Sequence, residues 1–385
     1  MALRMWIERL LSGVIVVLAV MTGKAALDPP PAPPPTLPVA ALQLTTTPVA
    51  LDRDDPARDR IGALRFLGAV QIRSTNPGFG GVSALRAGPA SSESRAGGGD
   101  SRLRAEGPDS RLRAEGAVRL LGINDTGNWL AFDTIERDGR LVGVANGVMT
   151  PIRQPDGGAA ATKDTGDAEG LEWDPATGIA TISYEQEHRL VHFTGIDAAV
   201  PASLDRLPAW TERLTATIGW PANGGAEAIA VLSGGARIIL AEDPRRPDGS
   251  QVALLTRNGE TREIGVEGVD DFSPTDAVAI DDHRILVLHR RFSLMVQAAA
   301  LTLVDLAPAL GPNPPATLPA TLLARWQPPL AVDNMEGLAI RHVGGRTFVY
   351  IMSDDNLNSV QRTLLMKFEI SPVARATSTR TAGHR

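Results

Sequence analysis

Acidic residues recur along this chain within a short repeated pattern. In each repeat an acid is followed by a small residue and then a branched apolar residue, the acids being Glu169, Glu227, Asp276 and Glu336. Carboxylates gathered at one place repel each other unless they are protonated, paired with arginine or bound to a cation. A site made only of oxygen ligands suits Ca²⁺ or another hard divalent cation such as Mg²⁺ better than Zn²⁺. We therefore predict a metal site formed by these four acids. The alternative is that each acid stabilises its own repeat through backbone hydrogen bonds.

A polar cluster follows each acid at the end of the next apolar run, some 13–17 residues further along the chain. A carboxylate near a bound substrate can act as a general base, and arginine is the usual partner of an anionic group. The candidate catalytic residues are Glu185, Asp354 and Glu336. The candidate substrate-binding residues are Arg189, Arg290, Arg362 and Asn356.

The spacing of the acids indicates which fold must position them. They are separated by 58, 49 and 60 residues, and each interval is filled by short apolar runs and turn sequences. A repeat of this length and character is typical of propeller blades, in which the innermost strand of every blade faces one central channel. We predict an all-β fold, a β-propeller of five or six blades, with residues 81–85 as a fifth, non-acidic repeat. The apolar run at residues 64–72 could close the last blade.

The remaining segments suggest an exported protein. Residues 1–26 combine Arg4 and Arg9 with an apolar run and a small-residue cleavage site, as a signal peptide does, although an uncleaved anchor is the alternative. Residues 27–58 are predicted to be a proline-rich linker, and residues 59–371 the propeller domain. Within it, residues 86–116 contain the duplicated segment D-S-R-L-R-A-E-G and are predicted to be a flexible insertion. Residues 372–385 are predicted to be a frayed tail. We expect a periplasmic or secreted protein.

Composition excludes several classes of function. The formal net charge is −6, which argues against a nucleic-acid partner. The chain has no cysteine, so it has no disulfide framework and no lipoprotein anchor. It lacks the G-x-S-x-G motif of α/β-hydrolases and the usual zinc-ligand spacings. We expect no organic cofactor, no membrane contact beyond the N-terminal segment, and a monomer.

A succession of motifs resembles a known family. The motifs include G-F-G-G-V-S-A-L at 78–85, D-A-E-G-L-E at 167–172, P-T-D-A-V-A-I at 274–280 and N-M-E-G-L-A-I at 334–340. In this order they resemble the bacterial "esterase-like activity of phytase" family, which has a phytase-like domain. The resemblance covers about residues 60 to 370. It departs at Asn124, where I-N-D-T-G stands in place of the usual S-D-R-G and an anion-binding arginine is missing. The resemblance implies an exported β-propeller hydrolase.

Two functions follow from these observations. The first is an exported hydrolase acting on a small or anionic ester or phosphoester at the channel mouth, assisted by a cation that polarises the substrate or activates a water. The second is a non-catalytic propeller that binds a glycan, a peptide or an envelope partner, in which the acids and any Ca²⁺ are structural. Propellers serve both purposes, so the fold alone does not distinguish them.

Overall fold

The computed structural model of the protein describes residues 36–90, 117–160, 166–292 and 297–371. The residues described from Leu37 onward belong to one compact unit, and they form five sheets whose pairings are antiparallel except for one short parallel pair in the third sheet. The predicted signal peptide and frayed tail lie outside the described residues, as do positions 91–116 of the predicted insertion. None of the described helices is long and apolar enough to cross a membrane.

Each sheet is one blade, and its strands follow one another from the axis outwards. Blade 1 contains β5 (Val82–Ala90), β6 (Val118–Asn124), β7 (Asn128–Arg137), β8 (Arg140–Pro151) and the short β1 (Ala40–Leu42). Blade 2 contains β9 (Ala168–Asp174), β10 (Ile179–Tyr184), β11 (Arg189–Phe193) and β12 (Trp210–Arg213). Blade 3 contains β13 (Ala226–Val231), β14 (Arg237–Arg245), β15 (Gln251–Arg257), β16 (Glu260–Val266) and β20 (Thr317–Leu318).

The last two blades follow the same plan. Blade 4 contains β17 (Ser273–Ala279), β18 (Arg284–Phe292), β19 (Gln297–Asp305) and β21 (Ala320–Trp326). Between β19 and β20 lies the one-turn helix α1 (Ala307–Leu310). Blade 5 contains β22 (Asn334–Val343), β23 (Arg346–Asp354), β24 (Thr363–Ile370), β4 (Leu64–Ser74) and β2 (Leu44–Pro48), with β3 (Arg60–Ile61) beside β4. The prediction of a β-propeller is confirmed, with five blades.

The blades form a closed ring. The innermost strands β5, β9, β13, β17 and β22 contact one another in that order, and β22 contacts β5 again. The ring is closed inside blade 5, where the N-terminal strand β4 pairs with β24 near the C-terminus. This confirms the expectation for residues 64–72, and it joins the two ends of the domain by antiparallel strand pairing that one irregularity between Met366 and Phe368 interrupts.

Apolar layers between adjacent blades form the core. One layer contains Leu286 of blade 4 and Val349 of blade 5, and another contains Leu85 of blade 1 and Tyr350 of blade 5. Because each blade packs against a neighbour on both faces, its middle strands are largely buried, as every residue of β6 is. Aliphatic residues dominate these layers, which explains how a chain with 4% aromatic residues forms a propeller.

Two predicted boundaries are corrected by the strands. Residues 40–48 were assigned to the proline-rich linker, but they form β1 and β2 on the outer edges of blades 1 and 5. Their Leu- and Thr-rich sequence suits an edge strand better than a polyproline segment. Residues 86–90 were assigned to the insertion, but they form the second half of β5, and Arg86 is buried on the axis.

Candidate functional site

Every innermost strand carries a β-bulge near its first residues, where one extra residue interrupts the pairing with the next strand. The extra residue is Glu169 in blade 2, Glu227 in blade 3 and Glu336 in blade 5. In blades 1 and 4 it is Ser83 and Thr275. A bulge turns the side chain of the extra residue away from the regular alternation, and bulges are common beside active sites. The propeller therefore presents five equivalent positions, of which three carry a glutamate.

The three bulge glutamates come together although they belong to different blades. Glu336 acts electrostatically on both Glu169 and Glu227, and Glu169 also acts on Glu227. Further carboxylates from the neighbouring strand ends join them. We call this group the acidic mouth, and its members are Asp167, Glu169, Glu185, Glu227, Glu242, Glu336 and Asp354. The structure brings Glu169, Glu227 and Glu336 near one another at the starts of the innermost strands, as the sequence predicts.

Arg290 of β18 braces one side of the acidic mouth. Its guanidinium contacts Glu242 at 2.9 Å and Glu336 at 3.2 Å, and it donates a hydrogen bond to Asn334 Oδ1 at 2.9 Å. The contact with Arg290 is made by the Oε1 atom of Glu336. Its Oε2 atom is buried and has no hydrogen-bond partner among the described residues. A buried carboxylate oxygen without a partner is costly, so this atom is a position at which a ligand would be stabilised.

Glu185 is held by a turn with unusual backbone angles. Gln186 and His188 both have positive φ, at 58° and 31°, which is uncommon for residues other than glycine. The turn is fixed by contacts with the next blade, because Gly225 N–H donates to Glu185 Oε1 at 2.6 Å. Gly225 cannot be larger, since a Cβ atom there would lie 2.2 Å from His188 Cε1. The Glu185 carboxylate is thus held by the backbone at the start of blade 3.

Five carboxylates of the acidic mouth have raised pKa values. Burial raises the pKa of Glu185 to about 7, and the nearby Glu242 adds to this. Burial and the neighbouring Asp125 raise the pKa of Asp354 to about 7. Burial also raises the pKa of Glu336 to about 8 although Arg290 opposes the shift. The pKa values of Glu169 and Glu227 are raised well above the usual range, first by burial and then by neighbouring carboxylates. Without a cation, these residues hold protons near neutral pH.

Asp276, the fourth predicted metal ligand, does not join the acidic mouth. It lies one residue after the bulge position of blade 4, which is filled by Thr275, and it is completely buried. Its carboxylate accepts the backbone N–H groups of Leu85 (3.3 Å) and Leu338 (2.8 Å), and both of its oxygens lie 3.0 Å from Arg86 Nη1. These partners occupy the carboxylate, so we leave Asp276 out of the site.

Arg86 lies on the propeller axis and contacts all five blades. Its guanidinium donates to the carbonyl oxygens of Leu85 in blade 1, Ile229 in blade 3, Ala277 in blade 4 and Leu338 in blade 5, at 2.6–3.0 Å. Its Nε atom lies 3.5 Å from Glu172 Oε2 of blade 2. A single planar cation with five donors suits this position, where carbonyls converge from several directions. Arg86 therefore fills the channel two residues beyond the bulge positions and forms a floor beneath the acidic mouth.

The other predicted binding residues lie around the mouth in different surroundings. Arg189 lies 3.3 Å from Glu187 and 4.5 Å above the ring of Tyr184. Arg362 pairs with Asp333 at 3.3 Å. Asn356 donates through its backbone N–H to Asp354 Oδ1 at 2.6 Å, and through its side chain to Gln361. Each of the three predicted arginines, Arg290 included, has a carboxylate neighbour, so an anionic substrate would compete with that carboxylate.

Sequence reasoning missed four contributors to this region. Asp167 and Glu242 lie close in sequence to predicted residues. Neither occupies the repeated position, so the repeat does not predict them as site residues. Arg86 and Glu172 form the floor beneath the acidic mouth, and only the packing of the blades brings them together. The signal that was available for Arg86 is its place directly after the fifth repeat, at residues 81–85.

Comparison with known proteins supports the resemblance read from the sequence. The model of the phytase-like family, described as esterase-like activity of phytase, matches residues 109–357. No curated protein matches the chain. Among solved structures, the chain spans 53% of hydrazine synthase from Kuenenia stuttgartiensis, at 9% identity over 62% of this chain and a TM-score of 0.30.

Two glycoside hydrolases are also among the similar structures. An exo-1,5-α-L-arabinanase from a bovine ruminal metagenomic library is 10% identical, over 66% of this chain and 89% of that one, with a TM-score of 0.38. The catalytic domain of a Coprinopsis cinerea α-L-arabinofuranosidase is 10% identical, over 85% and 97%, with a TM-score of 0.38. Such distant similarity carries no information about chemistry. The family match, in contrast, covers more than half of the sequence and includes Glu169, Glu227 and Glu336, so the chain belongs to the phytase-like family.

Proposed function

We propose that the protein is an exported hydrolase that cleaves an ester or phosphoester bond at the acidic mouth with the help of a divalent cation. The observation that carries the proposal is the convergence of Glu169, Glu227 and Glu336 beside the unpartnered Oε2 atom of Glu336. The description of the family as esterase-like supports the reaction class. The N-terminal sequence described above supports export.

The donor atoms suit a hard cation. The acidic mouth offers only carboxylate oxygens, and it is closed below by Arg86, so a cation entering it would be surrounded by oxygen on several sides. Glu185 would hold it together with Asp167 and Glu169, or with Glu227 and Glu242, and Glu336 lies beside both sets. When bound, such a cation polarises a carbonyl or phosphoryl oxygen and lowers the pKa of a bound water.

The protein side chains would supply the remaining functions. A general base works best when its pKa lies near the working pH, and the pKa values of Glu185 and Asp354 are both raised to about 7. Either carboxylate can accept the proton of an attacking water. Because Arg189, Arg290 and Arg362 lie beside carboxylates, the cation rather than an arginine would provide the main attraction for an anionic substrate.

Turnover of model substrates tests the proposal. Chelator-treated protein is assayed with p-nitrophenyl butyrate and p-nitrophenyl phosphate after addition of Ca²⁺, Mg²⁺ or Mn²⁺. We expect cation-dependent hydrolysis of one substrate that falls at least about 100-fold in Glu336→Gln, the usual scale for loss of a catalytic contact. Glu263→Gln, an exposed glutamate on the outer strand β16, is the matched control. Full activity of Glu336→Gln would place the site elsewhere.

A second function is favoured by the loops around the mouth. Ile218 and Val360 are 89% and 82% exposed, the highest values among the large apolar side chains described. Val360 lies in the loop that follows Asp354, and Ile218 precedes the segment whose Ala222 carbonyl accepts the N–H of Gln186. Both side chains are therefore available for contact with a partner. If the protein binds cations but turns over neither substrate, the result favours a non-catalytic propeller that binds a peptide or an envelope partner.

A further inference from the structure

Glu185 belongs to two overlapping groups of carboxylates. One group is Asp167, Glu169 and Glu185, and the other is Glu185, Glu227 and Glu242. Within each group, one oxygen of every residue lies within 4.8 Å of the others. Two oxygens bound to one Ca²⁺ at about 2.4 Å are at most about 4.8 Å apart. Each group therefore already has the dimensions of one coordination shell, and the two shells have Glu185 in common.

Glu336 is the independent observation that points to a ligand. The residue is 6% exposed, and its Oε2 atom has no hydrogen-bond partner among the described residues. Its carboxylate acts electrostatically on Glu169 of the first group and on Glu227 of the second. The Glu336 carboxylate therefore lies near members of both groups. Its Oε1 atom contacts Arg290, whereas its buried Oε2 atom has no hydrogen-bond partner among the described residues, which is costly unless a ligand supplies one.

Once ionised, the two groups and Glu336 carry more negative charge than one divalent cation balances. They supply six carboxylates, and Arg290 contacts two of them. With all six ionised, Arg290 and one divalent cation would leave three negative charges without compensation, and a second cation would reduce this to one. Buried charges persist only when they are compensated in this way.

We propose that the acidic mouth binds two divalent cations side by side, with Glu185 as their shared ligand. Asp167 and Glu169 complete the first site, Glu227 and Glu242 complete the second, and Glu336 lies near both. The backbone supports a bridging role for Glu185, because Gly225 N–H donates to its Oε1 atom and holds the carboxylate where both groups include it. The pair deepens the proposed function and rests on it, since two adjacent cations can hold the attacking and leaving oxygens of a displacement.

Manganese is the probe that tests the pair directly. The full chain is stripped with chelator and dialysed against Mn²⁺, the bound metal is counted by atomic absorption, and its electron paramagnetic resonance spectrum is recorded. We expect two ions per chain and a spectrum broadened by coupling between them. Added Ca²⁺ should displace both. One bound ion, or two ions with uncoupled six-line spectra, would overturn the proposal.

Three substitutions assign the ligands. Asp167→Asn and Glu242→Gln should each leave one bound ion with an uncoupled spectrum, because each residue belongs to one group only. Glu185→Gln should weaken both sites at least about tenfold. Glu263→Gln should behave as wild type. If Glu185→Gln weakens one site alone, Glu185 is not the shared ligand. If that variant fails to fold, Asp167→Asn and Glu242→Gln still test whether there are two separate sites.

The metal count is independent of turnover, so the two proposals can fail separately. If the chain binds a coupled Mn²⁺ pair but hydrolyses neither p-nitrophenyl substrate, the two-cation proposal stands and the hydrolase proposal fails. If the chain hydrolyses a substrate with one bound ion, the hydrolase proposal stands and the two-cation proposal fails.

Discussion

At the residue scale, the acidic mouth is a group of carboxylates whose ionisation is opposed by burial and by one another. Three of them were foreseen because Glu169, Glu227 and Glu336 follow the same local pattern, and the same pattern explains the error at Asp276. When the repeats are aligned on their acids, Asp276 is matched with the bulge glutamates of the other blades. In the structure the bulge position of blade 4 is occupied by Thr275, one residue earlier. A shift of one residue in a strand moves a side chain to the opposite face, so the sequence pattern alone could not exclude this alternative.

The pairing of the arginines could not be foreseen in the same way. Arg290 was selected as a substrate-binding residue, but it contacts Glu242 and Glu336 from two other strands. These contacts depend on the distance between neighbouring blades, and no spacing in the sequence reports that distance. Arg86 was missed for the same reason, because its partners come from all five blades.

The raised pKa values predict how stability depends on pH. In the folded protein Glu185 and Asp354 titrate near pH 7 and Glu336 near pH 8, whereas in the unfolded chain such groups titrate near 4 to 4.5. Between these limits the unfolded chain binds fewer protons, so the cation-free protein should lose stability as pH rises from about 5 to 8. We expect thermal melts in EDTA to show a midpoint lower by several degrees at pH 8 than at pH 5.

Added Ca²⁺ is the control for this pH effect. It should restore most of the lost midpoint at pH 8, because a cation stabilises the ionised carboxylates. A midpoint in EDTA that rises between pH 5 and pH 8 would contradict the raised pKa values.

At the element scale, the bulge and the axial arginine together make the pocket. The bulges turn Glu169, Glu227 and Glu336 towards one another at the start of the innermost strands, and Arg86 fills the channel beneath them. The sequence indicated the strands and their repetition. It did not indicate the bulges, because a bulge is a property of pairing between two strands rather than of one strand.

Replacement of Arg86 tests the role of the floor. Arg86→Ala would leave Asp276 buried without its ion pair and would remove hydrogen bonds to four blades. Removal of one partner from a buried pair costs about 3–5 kcal/mol, and we expect a loss of that size in urea unfolding. Arg137→Ala, at an exposed strand end, should change stability by less than about 0.5 kcal/mol. Equal stability of the two variants would show that the axial contacts are not needed.

At the scale of the whole molecule, the two ends of the described chain are joined in one ring. Strand β4 closes blade 5, as expected from the apolar run, but β1 and β2 extend the domain into a region predicted to be linker. The proline content of residues 28–38 obscured this boundary. Export and cleavage of the N-terminal segment remain predictions, since that segment lies outside the described residues.

Truncation locates the start of the folded domain. A chain beginning at residue 37 keeps β1 and β2, whereas one beginning at residue 49 loses the pairing of β2 with β4 and of β1 with β8. Each lost backbone hydrogen bond is worth about 0.5–1.5 kcal/mol, so the shorter chain should be less stable by several kcal/mol in urea unfolding. Indistinguishable unfolding curves would show that residues 40–48 do not contribute to the stability of the folded domain.

The central claim is that the acidic mouth binds a divalent cation through Glu336 and its neighbours. Calorimetric titration of Ca²⁺ into chelator-treated protein at pH 7.5 tests it most directly. Wild type and Glu263→Gln should show the same saturable binding, and Glu336→Gln should bind at least about tenfold more weakly while melting as a folded protein. Absence of binding in wild type, or equal affinity in Glu336→Gln, would contradict the claim.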